Sequence, residues 1–246
     1  KEDKVFSCIS YKANHYEPSQ VIKVTYEDYA ELAVKTRFSF EHVLPSFGLD
    51  GKDNSVASSA QGLTSNNIIN YLYDQLRREK PLVVVTCGAE DATIGIAKAL
   101  RENGIGCLVI LENSEERAEN VKKSLKENYL QSWVEWRTGD LTPWEGDNVI
   151  ASPPQQNTCW FPVELLEDLE AVDFVWIASS FEKGSDLSCY LALPALLERL
   201  STQAQLWVNG MSAPTEEEFC KQWASRHGFE FEYVSRKNGL GVLSRS

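Results

Sequence analysis

PLVVVTCGAEDATIGIAKALRENGIGCLVILE, residues 81–112, carries the reading of the fold. Leu82–Val85 is a continuous apolar run, too short for a helix and rich in β-branched residues, which reads as a fully buried strand. Thr86–Ala89 is a turn of small residues, and a helical pattern runs from Asp91 to Asn103, where Asn103-Gly104 closes it. Cys107–Leu111 is a second buried strand, ending on Glu112. The stretch is therefore a β-α-β unit with an acid at the tip of its second strand. A turn that frees a helix N-terminus, with a carboxylate roughly 20 residues on, is a physical recipe for holding a nucleoside-bearing cofactor. Gly88 is the only glycine in that turn, so the recipe is incomplete.

Working upstream, Ser65–Arg78 reads as a helix, with Ile68, Ile69, Leu72 and Leu76 at helical spacing. Before it, Val5–Tyr11 and Gln20–Thr25 are strand-like, and Tyr26–Arg37 is a short helix capped by Thr25. Phe38–Ala60 loses periodicity and gains Pro, Gly, Ser and Asp, as a loop does. Residues 1–60 thus read as an N-terminal extension or lid, and 61–246 as one α/β domain. Downstream, Ser114–Asn128 is an amphipathic helix capped by Ser114, with Arg117, Lys122, Lys123 and Lys126 on its wet face. Trp133–Arg137 is a strand leading to Thr138-Gly139-Asp140, and Leu141–Thr158 is irregular. Val163–Leu169 reads as a short helix, Asp173–Ala178 as a buried strand, and Ser179–Ser185 as a polar turn. Asp186–Leu200 follows as a helix kinked at Pro194, then a strand at Gln205–Val208 and a helix at Thr215–Gly228. Phe229–Ser235 and Leu240–Ser244 flank Asn238-Gly239, a hairpin signal. Five strands alternating with helices predict a doubly wound, mainly parallel sheet, with the C-terminal hairpin adding one antiparallel strand.

The bulk numbers narrow the function. The chain has 246 residues, enough for one well-packed α/β domain with an extension. A net charge of −12 argues against a broad electrostatic grip on nucleic acid or anionic membrane. No apolar run approaches the ~18 residues of a membrane span. Six scattered cysteines without a CxxC pair suit a reduced, intracellular and cytoplasmic protein. The chain starts at Lys1 with no signal-peptide pattern, as a trimmed or processed product would.

With these elements in place, the chain from about Ser55 to Ser246 resembles the class I S-adenosylmethionine-dependent methyltransferases, nearest the catechol/caffeoyl-CoA-type O-methyltransferases, which have a Rossmann-like fold. The resemblance rests on the helix at Ser65–Arg78 before VVVTCGAEDA, on Glu112, on Gly139-Asp140 and on the strand at Asp173–Ile177. It implies S-adenosylmethionine as cofactor, with Gly88, Ala89, Glu90, Glu112, Asn113 and Asp140 as its contacts. Glu112 would accept the ribose hydroxyls with its two oxygens, Asp140 an adenine amino group, and the backbone at Gly88–Ala89 would approach the cofactor closely. The chain departs from the family in two places. Where the family has G-x-G-x-G, this chain has Gly88-Ala89-Glu90-Asp91-Ala92, in which a pyrophosphate would face Glu90 and Asp91, so a dinucleotide is not expected. The metal-dependent members need an Asp where this chain has Ala178, and Ser179 and Ser180 do not replace it, so no catalytic divalent metal is expected.

Each candidate has a plainer alternative. Glu112 is a ribose ligand or a solvated strand-end acid, Asp140 an adenine ligand or a turn residue, and Gly88 a close approach or merely a turn. Lys183 reads as a solvated loop lysine before a base or clamp. His15 and His42 lie in the irregular N-terminal part and His227 near a helix end. Trp144, Trp160 and Phe161 either wall a substrate pocket or cap the core, with the balance toward the core. No catalytic residue stands out. Two functional classes follow: a methyltransferase-like protein without catalysis, serving as a binding or scaffold module for a small molecule or a protein partner, and a metal-independent methyltransferase acting on a small-molecule acceptor. A homo-oligomer is compatible with either. A nicotinamide dehydrogenase ranks third.

Overall fold

A computed structural model describes residues 65–146, 159–178, 188–211, 214–235 and 239–245. The expectations for residues 1–60, Lys183, Ser179–Ser180 and Asn238 lie outside the described residues. In chain order the elements are α1 (Ser65–Glu79), β1 (Val83–Cys87), α2 (Asp91–Asn103), β2 (Cys107–Glu112), α3 (Glu115–Glu127) and β3 (Val134–Thr138). There follow the two-residue strands β4 (Thr142–Pro143) and β5 (Cys159–Trp160), then β6 (Val172–Ile177), α4 (Ala192–Leu196), β7 (Leu200–Val208), α5 (Pro214–His227), β8 (Phe229–Ser235) and β9 (Leu240–Arg245).

Seven strands form one sheet in the order β3-β2-β1-β6-β7-β9-β8, while β4 and β5 pair separately. From β3 to β7 all neighbours are parallel; β9 runs antiparallel to both β7 and β8. The sheet is doubly wound and mainly parallel, with one antiparallel strand supplied by the terminal hairpin, as the sequence predicts. Strands covered on both faces must be apolar throughout. Accordingly Val84 and Val85 of β1, and Leu108 to Leu111 of β2, are all buried, their side chains alternating between two cores. One core packs Leu72 and Leu76 of α1 and Ile96 and Leu100 of α2 against Phe174, Trp176 and Trp207. The other packs Leu193 and Leu196 of α4 and Trp223 of α5 against Val175 and Ile177, with Trp160 and Phe161 buried in it.

Local signals set the boundaries. Gly104 takes the left-handed conformation (φ 71°) and donates to Leu100 O and Arg101 O, which ends α2. Ser114 Oγ accepts from Arg117 N at 3.4 Å and starts α3. Four expectations need correction. The helix expected over Asp186–Leu200 is, from Ser188 on, a 3-10 turn (Ser188–Leu191), the five-residue α4 and another 3-10 turn (Leu197–Arg199). Pro194 is the third residue of α4, which continues from the 3-10 turn with Leu191 in the right-handed helical region, and the helical run around it is divided into three short pieces instead of one long kinked helix. Strand β7 then begins at Leu200, five residues before the expected start. The helix expected at Val163–Leu169 is only a 3-10 turn at Val163–Leu165. The irregular stretch after Leu141 contributes β4, whose Thr142 and Pro143 pair with Trp160 and Cys159. Among the described residues, no helix is long and apolar enough to cross a membrane.

Candidate functional site

Strand β1 lies between β2 and β6, and the chain leaves it in one direction and returns on the other side. At such a reversal the turns at the carboxyl ends diverge and leave a crevice, the usual ligand site of an open α/β sheet. Gly88 follows β1 with φ 96°, a conformation L side chains rarely adopt, and its N–H donates to Leu111 O at 2.9 Å. This turns the next peptide toward the tip of β2. There Ala89 N donates to Glu112 Oε2 at 2.7 Å.

Glu112 is 1% exposed. Its Oε1 accepts from Asn113 N at 2.9 Å, Ser114 N at 2.7 Å and Arg117 Nη2 at 2.7 Å. Its Oε2 accepts from Ala89 N and, at 3.2 Å, from Arg117 Nε. Two carboxylate oxygens offer about four lone-pair directions, and five donors from this chain already use them. Burial raises the carboxyl pKa, but the Arg117 guanidinium and the Ala89 and Ser114 amides more than offset it, and the net shift is downward. Glu112 is ionised and fully engaged. Asn113 joins the same cluster, accepting from Arg117 Nη2 at 3.1 Å.

Glu90 faces elsewhere. As the residue before α2 it is extended, its N–H donates to Thr93 Oγ1 at 3.1 Å, and its carbonyl accepts from Thr93 N. Its carboxylate Oε1 accepts from Trp176 Nε1 at 2.5 Å, and Asn209, just past β7, adds a side-chain hydrogen bond. Burial pushes the Glu90 carboxyl above the ordinary range, partly countered by those two bonds. Glu90 thus ties the start of α2 to β6 and the end of β7. Thr86 Oγ1, fully buried on β1, has no hydrogen-bond partner among the described residues.

No family model and no curated protein matches the chain. Solved structures do. The chain is similar to the O-methyltransferase TomG from Streptomyces achromogenes, involved in tomaymycin synthesis and solved with S-adenosylmethionine: 16% identity, TM-score 0.52, covering 87% of this chain and 96% of that one. A methyltransferase from Geobacter sulfurreducens gives 16% identity and TM-score 0.51, covering 87% and 98%. An O-methyltransferase from Bacillus cereus with S-adenosylhomocysteine gives 14% and 0.50, covering 91% and 92%. The fold is that of the class I methyltransferases.

Within this methyltransferase fold the predicted residues divide. Gly88, Ala89, Glu112 and Asn113 meet in one hydrogen-bonded cluster, Glu90 turns to Trp176, and Asp140 is exposed in the loop after the edge strand β3. Ala178 is buried, its N–H donating to Cys87 O at 3.1 Å. Among the described residues no group of three or more His, Cys, Asp or Glu is placed to hold a metal ion. Trp160 and Phe161 belong to the core at 1% and 2% exposure, whereas Trp144 is half-buried beside a cavity. His227 is exposed at the end of α5, its ring 4.9 Å from Trp223. Sequence reasoning missed Arg117, placed on the wet face of α3 but in fact turned back onto Glu112, and the pair Trp176 and Asn209. The signal for Trp176 was available, since most buried indole N–H groups find an acceptor.

Proposed function

We propose that this chain is a methyltransferase-fold binding module that takes S-adenosylmethionine weakly, in a crevice latched by its own side chains. The observation that carries this is the saturation of Glu112. Accepting two ribose hydroxyls requires free lone pairs on that carboxylate, and Arg117 occupies two of the available directions. The backbone fits such a cofactor, with Gly88 in the left-handed region and an acid at the tip of β2. The hydrogen-bonding capacity is already spent. Glu90, engaged with Trp176, likewise offers no free carboxylate oxygen pair to an amino group. A binding or scaffold role toward a protein partner follows if the ligand serves only to set the conformation of the crevice. Six scattered cysteines without a CxxC pair fit an intracellular setting.

The second reading, a metal-independent methyltransferase acting on a small-molecule acceptor, draws on the TomG structure with its S-adenosylmethionine. Alignment of acceptor, methyl group and sulfur supplies much of the rate in such a transfer, so an inconspicuous site does not argue against it. Calorimetric titration with S-adenosylmethionine and S-adenosylhomocysteine decides between latch and open site. Arg117→Ala should tighten binding about tenfold or more, since charge-assisted hydrogen bonds of ~1.5–3 kcal/mol no longer compete. Glu112→Ala should abolish it. Tight binding by the wild type that Arg117→Ala leaves unchanged would refute the latch, and methyl transfer from labelled cofactor to any small acceptor would establish the second reading.

A further inference from the structure

The two acids beside the carboxyl ends of β1 and β2 differ in their counter-charge. Glu112 has the Arg117 guanidinium at 2.7 Å. Glu90 has no such partner. Its side chain accepts from the Trp176 indole at 2.5 Å and shares a hydrogen bond with the Asn209 side chain, and both partners are neutral. Among the described residues no Lys, Arg or His pairs with it. The charge that does act on it, Asp91 at the start of α2, has the same sign. The macrodipole there offsets about half a charge at most, and Asp91 in the first turn draws on the same dipole.

A half-buried carboxylate without a cation costs stability, because neutral donors return only part of its hydration. Groups perturbed by burial in this way cluster at functional sites. The place agrees. Glu90 follows Ala89, whose N–H donates to Glu112, and its side chain reaches from the turn after β1 to β6 and the residue past β7, bordering the reversal between β1 and β6. A second unsatisfied group lies on the same face of the sheet. Thr86 is 0% exposed, and its Oγ1 has no hydrogen-bond partner among the described residues. It stands two residues after Val84, which shares a core with Trp176, and it pairs in register with Trp176 itself. An uncommitted oxygen and an uncompensated carboxylate thus flank the same indole.

We propose that Glu90 is the charge-reading residue of the crevice and selects a ligand that brings a positive charge: S-adenosylmethionine, with its sulfonium, over S-adenosylhomocysteine, which lacks that methyl group and that charge. This selectivity belongs to the crevice proposed above and rests on that reading. A sulfonium has no N–H or O–H to donate, so it is recognised by a field and not by a hydrogen bond. Glu90 supplies the field even with its oxygens engaged by Trp176 and Asn209. Because Arg117 neutralises Glu112, the charge on Glu90 is the one left over between the two strand-end acids.

The test is the ratio of the two affinities, measured by calorimetry on the full chain at neutral pH. Wild type and Arg117→Ala should each bind S-adenosylmethionine about tenfold more tightly than S-adenosylhomocysteine, the size of one partly screened charge pair. Glu90→Gln keeps an acceptor for Trp176 Nε1, and in it the ratio should fall toward one, chiefly through lost affinity for S-adenosylmethionine. Glu90→Asp keeps the charge on a shorter side chain and should restore part of the ratio. Arg117→Ala should tighten both ligands and keep the ratio, which separates the latch from the charge reading. A ratio near one, or in favour of S-adenosylhomocysteine, in wild type and Arg117→Ala would overturn the inference and leave the latch standing, as would Glu90→Gln weakening both ligands alike. Unchanged affinities in Arg117→Ala with the ratio intact would overturn the latch alone. Absence of heat with both ligands in Arg117→Ala would overturn both.

Discussion

Glu112→Gln tests the central cluster most directly. The substitution keeps the shape of the side chain and removes one acceptor oxygen and the charge. If the amide replaces Oε2, its NH2 faces the donors Ala89 N and Arg117 Nε; if it replaces Oε1, it faces Asn113 N, Ser114 N and Arg117 Nη2. The first orientation costs less, and it still sets two donors against a donor in a site where the side chain is 0% exposed. Hydrogen bonds to a charged group contribute about 1.5–3 kcal/mol each, and breaking a buried pair costs about 3–5 kcal/mol. Arg117 is 29% exposed and recovers part of its hydration, so the expected loss is about 3–5 kcal/mol and no more. At about 2–4 °C per kcal/mol for a domain of this size, Tm should fall by about 6–20 °C. The loss should also depend on pH. The folded pKa of Glu112 lies below its ordinary value, so its contribution is complete above about pH 4.3, the unfolded value, and disappears as pH falls through the folded pKa. Urea unfolding of both proteins between pH 3 and pH 8, followed by circular dichroism, measures this. A difference below about 1 kcal/mol at neutral pH, or one that grows on acidification, would refute the reasoning.

Substitutions at two further positions probe the structure around the site. Glu90 behaves in the opposite sense to Glu112: its folded pKa is raised, chiefly by burial, so the folded state is favoured below the ordinary carboxylate range and loses stability as pH rises through the shifted value. Glu90→Gln keeps an acceptor for Trp176 Nε1 and should remove that loss, leaving the variant at least as stable as the wild type at pH 7 in urea unfolding; marked destabilisation at pH 7 would contradict it. Arg137, 8% exposed, grips Asp168 with two bonds of 2.6 and 3.1 Å and Leu165 O at 2.7 Å, joining β3 to the chain before β6. Arg137→Ala should cost about 1–3 kcal/mol, discounted because Asp168 is half exposed, and Arg137→Lys should recover little, since an ammonium lacks the fork; thermal melts of the two variants check this.

The sequence was most informative where one residue's chemistry fixes its surroundings. The apolar runs at Leu82–Val85 and Cys107–Leu111 leave no choice but strands covered on both faces, and the hairpin around Gly239 leaves one antiparallel strand. Gly104 and Ser114 mark helix ends through local backbone geometry, which is why those boundaries were legible. Pro194 misled because its ring is compatible both with a kinked helix and with a run of short helical pieces, and only the packing of α4 against the sheet separates the two.

At the site, the sequence determined the positions: a turn with Gly88 after the first strand, and Glu112 at the tip of the second. It did so because strand order and the β-α-β connection place those two points side by side in any fold of this type. Tertiary structure alone decided what Glu112 does. Whether a strand-end acid is open to a ligand depends on which donors reach it in space. Here Ala89, Asn113, Ser114 and Arg117 arrive from a turn and a helix that only the folded sheet brings together.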